Sequence, residues 1–346
     1  MSNKKHFGAK LRKVALILIF SFLIFSCQSS GTSKTILYIT EKDGNPEIYS
    51  TDRNGNVHTR LTNSSKIESS PKLSPNGKNI AYLLSKNSLK ELWIMDKEGN
   101  QGKLVSRKGE SVEDFFWSPD SNKIAYKRKN EDGQHDISLL NIDDGAVNEV
   151  TNNTSIEKLG NWSPDGEWIS YAVIKTDEML TKGDQRVGIF KKNPEGVDEV
   201  RLTENFEDHS PVWSPDGKKI AFLSTRGGDD IDIYVLEVET KQETNITASQ
   251  GNDYDFDWSP DSKRIVFVSE REKNPEIYVI DISLSEAPIR LTDNISNENS
   301  PIWRENKIIF ISDSDGDKDI YSMTPSDGSG QKRLTETPES ESSLFW

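Results

Sequence analysis

The sequence predicts an all-β protein, and three observations lead to that prediction. Residues 211–224 read as a hairpin, in which Ser214-Pro215-Asp216-Gly217 joins two apolar strands. Pro presets φ, Asp can bond its own backbone, and Gly accepts a positive φ, so this tetrapeptide is a turn signal. The hairpin recurs at spacings of 44, 45, 51, 45, 45 and 43 residues, and six of the eight tryptophans occupy its one repeat position. A period near 45 in β-patterned sequence is typical of the four-stranded blades of a β-propeller. The repeat position holds Leu73, Trp117, Trp162, Trp213, Trp258, Trp303 and Trp346.

The remaining strands of each blade follow the hairpin in a regular order. Second strands are expected at 36–39, 80–83, 124–126, 169–173, 220–223, 265–268 and 308–311. Third strands are expected at 48–49, 92–94, 137–139, 187–190, 233–235, 277–280 and 320–321. Fourth strands end at Leu61, Leu104, Val150, Leu202, Ile246, Leu291 and Leu334, and a threonine usually comes next. Turn residues separate these apolar runs throughout, and no helical period appears after the amino terminus.

Seven copies of each strand predict a seven-bladed propeller. The pattern begins at a second strand and stops at a first strand, residues 344–346. We therefore expect this carboxyl-terminal segment to supply the innermost strand of the first blade and to close the ring without an open edge.

The charge of the chain bears on its partners. The formal net charge is −14, and the first 26 residues contribute five positive charges and no acid, so the rest carries −19. Such an acidic body argues against nucleic-acid binding, which needs a basic surface. It permits a cationic partner without requiring one.

The amino terminus has the layout of an export signal. A basic segment precedes the apolar run 14–25, which is too short to span a bilayer comfortably. Ile24-Phe25-Ser26-Cys27 then resembles a bacterial lipobox, and Cys27 is the single cysteine. The resemblance implies a signal peptide at 1–26, acyl chains such as palmitate on Cys27, a short tether at 27–35 and a propeller at 36–346. Two or more acyl chains anchor a protein stably. An ordinary signal peptide followed by an unmodified cysteine is the alternative.

The repeat also resembles a known family. The segment SPDGKKIAF, an Asp/Glu-Ile-Tyr third strand and a Leu-Thr strand end are similar to the propeller repeat of TolB, a periplasmic protein of the Tol–Pal envelope system. The resemblance covers residues 36–346 and implies a propeller that binds other proteins. TolB itself has six blades and an amino-terminal α/β domain, for which this chain has no room. With Gln28 after the cysteine, we expect a lipid-anchored outer-membrane protein, on either the periplasmic face or the cell surface.

A recurrent acid provides the candidate binding residues. Six of the seven residues that precede the repeat position by five are acidic, and in the remaining repeat Glu113 lies beside Val112. The loops that carry them converge on one mouth of the channel, so a ring of carboxylates would attract a cation or a basic segment of a partner protein. Alternatively, each carboxylate accepts backbone hydrogen bonds in its own loop. The predicted ring consists of Glu68, Glu113, Glu157, Asp208, Asp253, Glu298 and Glu341.

A second recurrent acid precedes the third strands, and we interpret it as structural. Its members are Glu47, Glu91, Asp136, Asp232, Glu276 and Asp319. Around the last of them, Asp313, Asp315, Asp317 and Asp319 alternate as in a calcium loop, but Lys318 and Met323 break the EF-hand pattern. We predict no metal site and no cofactor.

The sequence favours a non-catalytic, monomeric scaffold over an enzyme. His58, His135 and His209 fall on different predicted blades, and no G-x-S-x-G elbow occurs. The alternative is a periplasmic lyase or hydrolase that acts on a saccharide or peptide at the channel mouth. Residues 175–186 lengthen one loop on the face of the acidic ring, which could make a second contact with a partner.

Overall fold

The computed structural model describes residues 35–129, 133, 135–152, 155–174, 186–272, 274–284 and 286–346. Within these ranges the regular structure is entirely β, with no helix and hence no helix that could cross a membrane. Cys27 and residues 175–185, which carry the predicted anchor and most of the predicted loop, lie outside these ranges. The strands are β1 (Thr35–Thr40), β2 (Glu47–Asp52), β3 (His58–Arg60), β4 (Ile67–Leu73), β5 (Asn79–Lys86), β6 (Leu89–Asp96), β7 (Lys103–Leu104), β8 (Ser111–Trp117), β9 (Lys123–Lys129), β10 (His135–Asn141), β11 (Val147–Glu149), β12 (Ile156–Trp162), β13 (Ile169–Ile174), β14 (Gly188–Lys192), β15 (Glu199–Arg201), β16 (His209–Trp213), β17 (Lys219–Ser224), β18 (Asp232–Glu237), β19 (Glu243–Asn245), β20 (Asp253–Trp258), β21 (Arg264–Ser269), β22 (Glu276–Asp281), β23 (Ile289–Arg290), β24 (Glu298–Arg304), β25 (Lys307–Ser312), β26 (Asp319–Met323), β27 (Lys332–Arg333) and β28 (Glu341–Phe345).

The strands form antiparallel meanders of four. Separate four-stranded sheets contain β4–β7, β16–β19, β20–β23 and β24–β27, and another has the order β28-β1-β2-β3. Strands β8–β15 make two such meanders joined by a single parallel bridge between His135 and Ile156. The last strand of the chain thus pairs with the first, with Phe345 opposite Leu37.

The predicted hairpin turn has its expected geometry. The Gly217 N–H donates to the Ser214 carbonyl at 2.9 Å, and Gly217 has a φ of +70°. The Ser214 hydroxyl donates to Asp216 Oδ1 at 2.6 Å, and this bond joins the first and third residues of the turn. The turn therefore sets the register in which Trp213 faces Ile220.

The core lies between consecutive sheets, as it does in a β-propeller. Ile36 and Tyr38 of β1 pack with Ile309 and Ile311 of β25, so a buried cluster joins the first sheet to the last. Buried tryptophans also tie the sheets together. The indole N–H groups of Trp117 and Trp162 donate to the backbone carbonyls of Lys72 and Phe116 in the preceding four-stranded meander, at 3.0 and 3.1 Å. Packing of this kind explains why tryptophan recurs at one position of the repeat.

Candidate binding site in the axial channel

Six acids of the predicted ring lie within the first three residues of an inner strand, and Asp208 immediately precedes one; six of the seven acids are buried. The inner strands are β4, β8, β12, β16, β20, β24 and β28. None of the six is more than 2% exposed: Glu68, Glu157, Asp208, Asp253, Glu298 and Glu341. Glu113 is the exposed member, and the buried position in its repeat is taken by Val112. Buried carboxyl groups require hydrogen-bond or charge partners, so their neighbours decide what they can do.

Two of the buried acids face an arginine. Asp253 Oδ1 lies 3.1 Å from Nη2 of Arg271, and its Oδ2 accepts a bond from the Ser249 hydroxyl at 3.0 Å. Asp208 Oδ1 lies 2.8 Å from Nη2 of Arg226, close enough for an ion pair although the N–H is not aimed as in a directed hydrogen bond. Burial raises the pKa of Asp208, and the hydroxyls of Thr203 and Ser224 and the charge of Arg226 oppose that rise.

Two others face a second carboxyl group. Glu298 accepts bonds from Asn294 Nδ2 at 2.9 Å and from the Ser312 hydroxyl at 3.0 Å, and burial together with Glu276 raises its pKa to about 7. Burial and Asp319 raise the pKa of Glu341 to about 8. Two carboxyl groups that share a buried site favour one bound proton between them, so each pair is expected to carry a single negative charge near neutral pH.

The remaining three positions differ from one another. Glu68 accepts a bond from the Ser64 hydroxyl at 2.7 Å, and burial raises its pKa. Glu157 lies 3.9 Å from the guanidinium of Arg186, the described end of the long loop. Exposed Glu113 lies 2.6 Å from Lys127 Nζ and 3.2 Å from His135 Nδ1. Partial burial acts to raise its pKa, but these two partners lower it overall.

The premise of the predicted ring is therefore wrong for six positions. A ring that attracts a cation requires carboxylates that the protein does not already satisfy, whereas these six have hydroxyl, amide, arginine or carboxyl partners inside the protein. Their burial favours a structural role, although the partners described above are side chains, including carboxyl groups of the preceding sheet, rather than backbone N–H groups of each acid's own loop. Binding of a partner on that face stays a prediction.

The acids before the third strands also have partners. Glu47 and Glu276 each lie 2.9 Å from an arginine, Arg60 and Arg290 respectively. Asp319 pairs with Arg333, which also pairs with Asp315. Oxygens of Asp315, Asp317 and Asp319 lie within 4.8 Å of one another, and Arg333 pairs with two of these three carboxylates, Asp315 and Asp319.

A cavity of about 650 Å³ lies where inner strands β4, β8, β20, β24 and β28 converge. Its walls come from the middle and the carboxyl ends of these strands, whereas the recurrent acids lie near the strands' beginnings. Half-buried Phe116, Phe256 and Phe345 line it, together with Trp117 and Trp346. The charged side chains in the wall are Lys72, Asp255 and Arg304. An apolar pocket with a few converging polar groups is the usual form of a binding site.

Both cations of this cavity already have an acidic partner. Lys72 Nζ lies 2.9 Å from Asp114 Oδ1, donates to the Phe115 carbonyl at 2.7 Å, and lies 3.7 Å from the centre of the Phe116 ring. Burial lowers the pKa of Lys72, and Asp114 opposes that shift. Arg304 Nη1 lies 2.6 Å from Asp257 Oδ2.

The inner strands carry strained bulges, and three of the bulge residues, Asp255, Ser300 and Ser343, line this cavity. A residue other than glycine has a positive φ in five of these strands, and the strand register shifts at each of these points. Such φ values are costly for residues other than glycine and concentrate at functional sites. The five residues are Ser70, Ser210, Asp255, Ser300 and Ser343. Sequence reasoning missed the cavity, because the positions three before the repeat position hold four serines, Leu159 and two acids, Asp114 and Asp255, and so do not single out Asp255.

The described histidines do not converge. The His58 ring bonds to the Tyr38 hydroxyl at 3.0 Å, His135 lies beside Glu113, and His209 bonds to the Ser210 hydroxyl at 3.0 Å. Burial and the nearby charge of Lys158 lower the pKa of His209. A metal site built on three histidines is therefore not formed by these residues.

Comparisons with known proteins give the family. A TolB homolog of Chlorobium luteolum is 26% identical over 208 residues, which are 60% of this chain and 35% of the relative. An oligogalacturonate lyase in complex with manganese has a TM-score of 0.69 at 16% identity, with 84% of this chain and 86% of that chain covered. The β-propeller domain of the Trilobed protease from Pyrococcus furiosus has a TM-score of 0.69 at 15% identity, over 89% and 94% of the two chains.

At these identities the structural likeness shows the fold alone. The chain spans less than half the length of each curated relative that it matches. The sequence profile of the TolB beta propeller domain matches residues 27–179 and 209–344, most of the chain. The chain therefore belongs to the TolB β-propeller domain family.

Proposed function

We propose that this protein is a non-catalytic binding propeller of the cell envelope, whose partner protein inserts a segment into the axial channel. The observation that carries the proposal is the cavity of about 650 Å³ with aromatic walls and few charged groups. The two cations of this cavity already pair with Asp114 and Asp257, so its apolar walls are available to contact a segment of a partner protein.

The proposal includes seven blades closed by β28. Twenty-eight described strands divide into seven meanders of four, and the pairing of β1 with β28 supports closure. Closure would hold the inner strands at constant spacing, so the channel would keep its shape when a partner enters.

The proposal also includes a lipid anchor on Cys27 that attaches the propeller to the outer membrane. Its support is the lipobox-like segment that ends at Cys27. Changing Cys27→Ala should release the protein from the membrane fraction. Retention of the variant in that fraction would contradict the anchor.

Photo-crosslinking tests the channel as the binding site. A photoreactive phenylalanine analogue at position 116 places the probe in the cavity wall, and the same analogue at Val197, which is 79% exposed between β14 and β15, is the control. In bacterial cells we expect a discrete cross-linked partner from position 116 and not from position 197. The same products from both positions, or none, would contradict the proposal.

A second candidate is an enzyme that acts on a saccharide or peptide in the channel. The observation that favours it is the likeness to the lyase fold and to a protease propeller. The separate positions of His58, His135 and His209 argue against a shared histidine site. Release of unsaturated products from oligogalacturonate with added manganese, abolished by His209→Ala, would favour the enzyme.

A further inference from the structure

Asp255 is the one cavity acid whose charge the described residues leave unmatched. Its carboxylate accepts a hydrogen bond from the Ser300 backbone N–H, and no lysine or arginine among the described residues lies within 4 Å of it. Lys72 and Arg304, the other charged residues of the wall, are held by Asp114 and Asp257. The side chains that form and flank the cavity therefore carry a net negative charge of one.

The surroundings of Asp255 make this unmatched charge costly. Although its side chain is exposed to the channel, the protein around it is dense enough that burial raises its pKa. Its backbone also has a φ of +45°, which disfavours any residue with a side chain. The four other bulges of this type use serine in the same conformation. Packing of the bulge therefore does not require an acid here, and an uncompensated charge in a strained position indicates function.

The aromatic walls indicate what would neutralise Asp255. Phe116, Phe256 and Phe345 line the same cavity, and their ring faces attract cations that have lost part of their water. Lys72, whose Nζ lies 3.7 and 5.7 Å from the centres of the Phe116 and Phe345 rings, demonstrates that an ammonium group fits against these walls.

We propose that the channel cavity binds a lysine or arginine side chain of a partner protein, with Asp255 as the matching carboxylate and the three phenylalanine rings as the walls. The inference rests on the proposed binding function and names the chemistry of its ligand. The bound cation would cancel the net charge of the cavity and pair the carboxylate, while Lys72 and Arg304 keep their present partners.

The test uses the full chain and two synthetic peptides. The probe is acetyl-Gly-Gly-Lys-Gly-Gly-amide, and its neutral counterpart has norleucine in place of lysine. Trp117 and Trp346 lie in the cavity wall, so tryptophan fluorescence reports occupancy. We expect saturable binding of the lysine peptide that weakens as salt rises, and binding at least about tenfold weaker for norleucine.

The decisive variant is Asp255→Ser, because serine is the residue found at the four other bulges. It should weaken binding of the lysine peptide about tenfold and leave the melting temperature unchanged or higher. Asp229→Ser, at an exposed turn position between β17 and β18, is the matched control and should bind as the parent does. Equal binding of both peptides, or unchanged binding to Asp255→Ser, would overturn the inference. If the lysine peptide does not bind while cross-linking from position 116 still captures a partner, the cationic ligand is excluded and the proposed function stands.

Discussion

Equivalent buried acids are stabilised in two different ways in neighbouring parts of this propeller. Asp208 and Asp253, at β16 and β20, face Arg226 and Arg271, and we call them the arginine-matched acids. Glu298 and Glu341, at β24 and β28, face the carboxyl groups of Glu276 and Asp319, and we call them the proton-sharing acids.

One sequence difference between the two kinds of sheet lies two residues after the second strand. Arg226 and Arg271 both follow a serine of that strand by two positions, and each lies 4.7 Å from a tyrosine ring, Tyr234 or Tyr278. In the β24–β27 sheet the equivalent residue is Ser314, although the corresponding stack of Phe310 and Tyr321 is present, with centroids 5.8 Å apart. The residue at this position thus distinguishes the β24–β27 sheet from the two sheets with arginine-matched acids, whereas the sheet that contains β28 has Lys42 there, with its Nζ 4.0 Å from the centre of the Tyr49 ring.

The largest expected effect comes from truncating β28, the strand that begins with the proton-sharing acid Glu341. Deleting residues 344–346 removes Leu344, which is 5% exposed, and the aromatic packing of Phe345 and Trp346 against neighbouring sheets. We expect a loss of about 3–5 kcal/mol in the free energy of unfolding, because large apolar groups leave cavities and sheet edges behind. Urea denaturation measures it. An unchanged midpoint would contradict closure by β28.

The next effect concerns an arginine-matched acid. Changing Arg271→Met leaves Asp253 buried without a counter-charge, so we expect a loss of about 3 kcal/mol. The control is Arg53→Met, because Arg53 and Glu305 form an exposed pair with side chains 42% and 38% accessible. Exposed pairs contribute about 0–1 kcal/mol. Equal losses in the two variants would mean that burial of Asp253 does not determine the cost.

The proton-sharing acids should make stability depend on pH. An unfolded glutamate ionises near its ordinary pKa of 4.5, whereas Glu298 and Glu341 keep their protons until about pH 7 and 8. Between these values the folded state binds more protons than the unfolded state. Their contribution is therefore complete below about pH 4.5 and is lost as pH rises through 7 and 8.

Denaturation of the parent and of Glu298→Gln/Glu341→Gln between pH 5.5 and 9 measures this contribution. The double variant should be close to the parent at pH 5.5 and lose less stability on going to pH 9, because its amides cannot ionise. Parallel curves for the two proteins would show that other groups cause the pH dependence.

The smallest effect converts one class into the other. Ser314→Arg should place a guanidinium over the Phe310–Tyr321 stack and beside Glu298, as Arg271 lies beside Asp253. We expect a gain of about 1 kcal/mol at pH 8 and a lower pKa for Glu298. Ser314→Gln is the neutral control. The same stability for both variants at pH 8 would mean that the loop backbone, and not residue 314, separates the two classes.

The sequence by itself determined the strand order, the turns and the position of each recurrent acid. Those features depend on local chemistry: turn residues at 214–217, apolar alternation along each strand, and a tryptophan that must fill the space between sheets. The prediction therefore identified the family and located the acids at the starts of the inner strands.

Only the tertiary structure decided whether those acids are accessible and what they contact. Glu298 and Asp253 occupy the same repeat position, yet one meets a carboxyl group from the preceding sheet and the other an arginine from its own sheet. The tertiary structure also decided that the charge of Asp255 is not compensated. The two cations of the same cavity, Lys72 and Arg304, come from other strands and already pair with Asp114 and Asp257. Charge and burial are set by what surrounds a group in space, and a repeat pattern specifies only where along the chain that group lies.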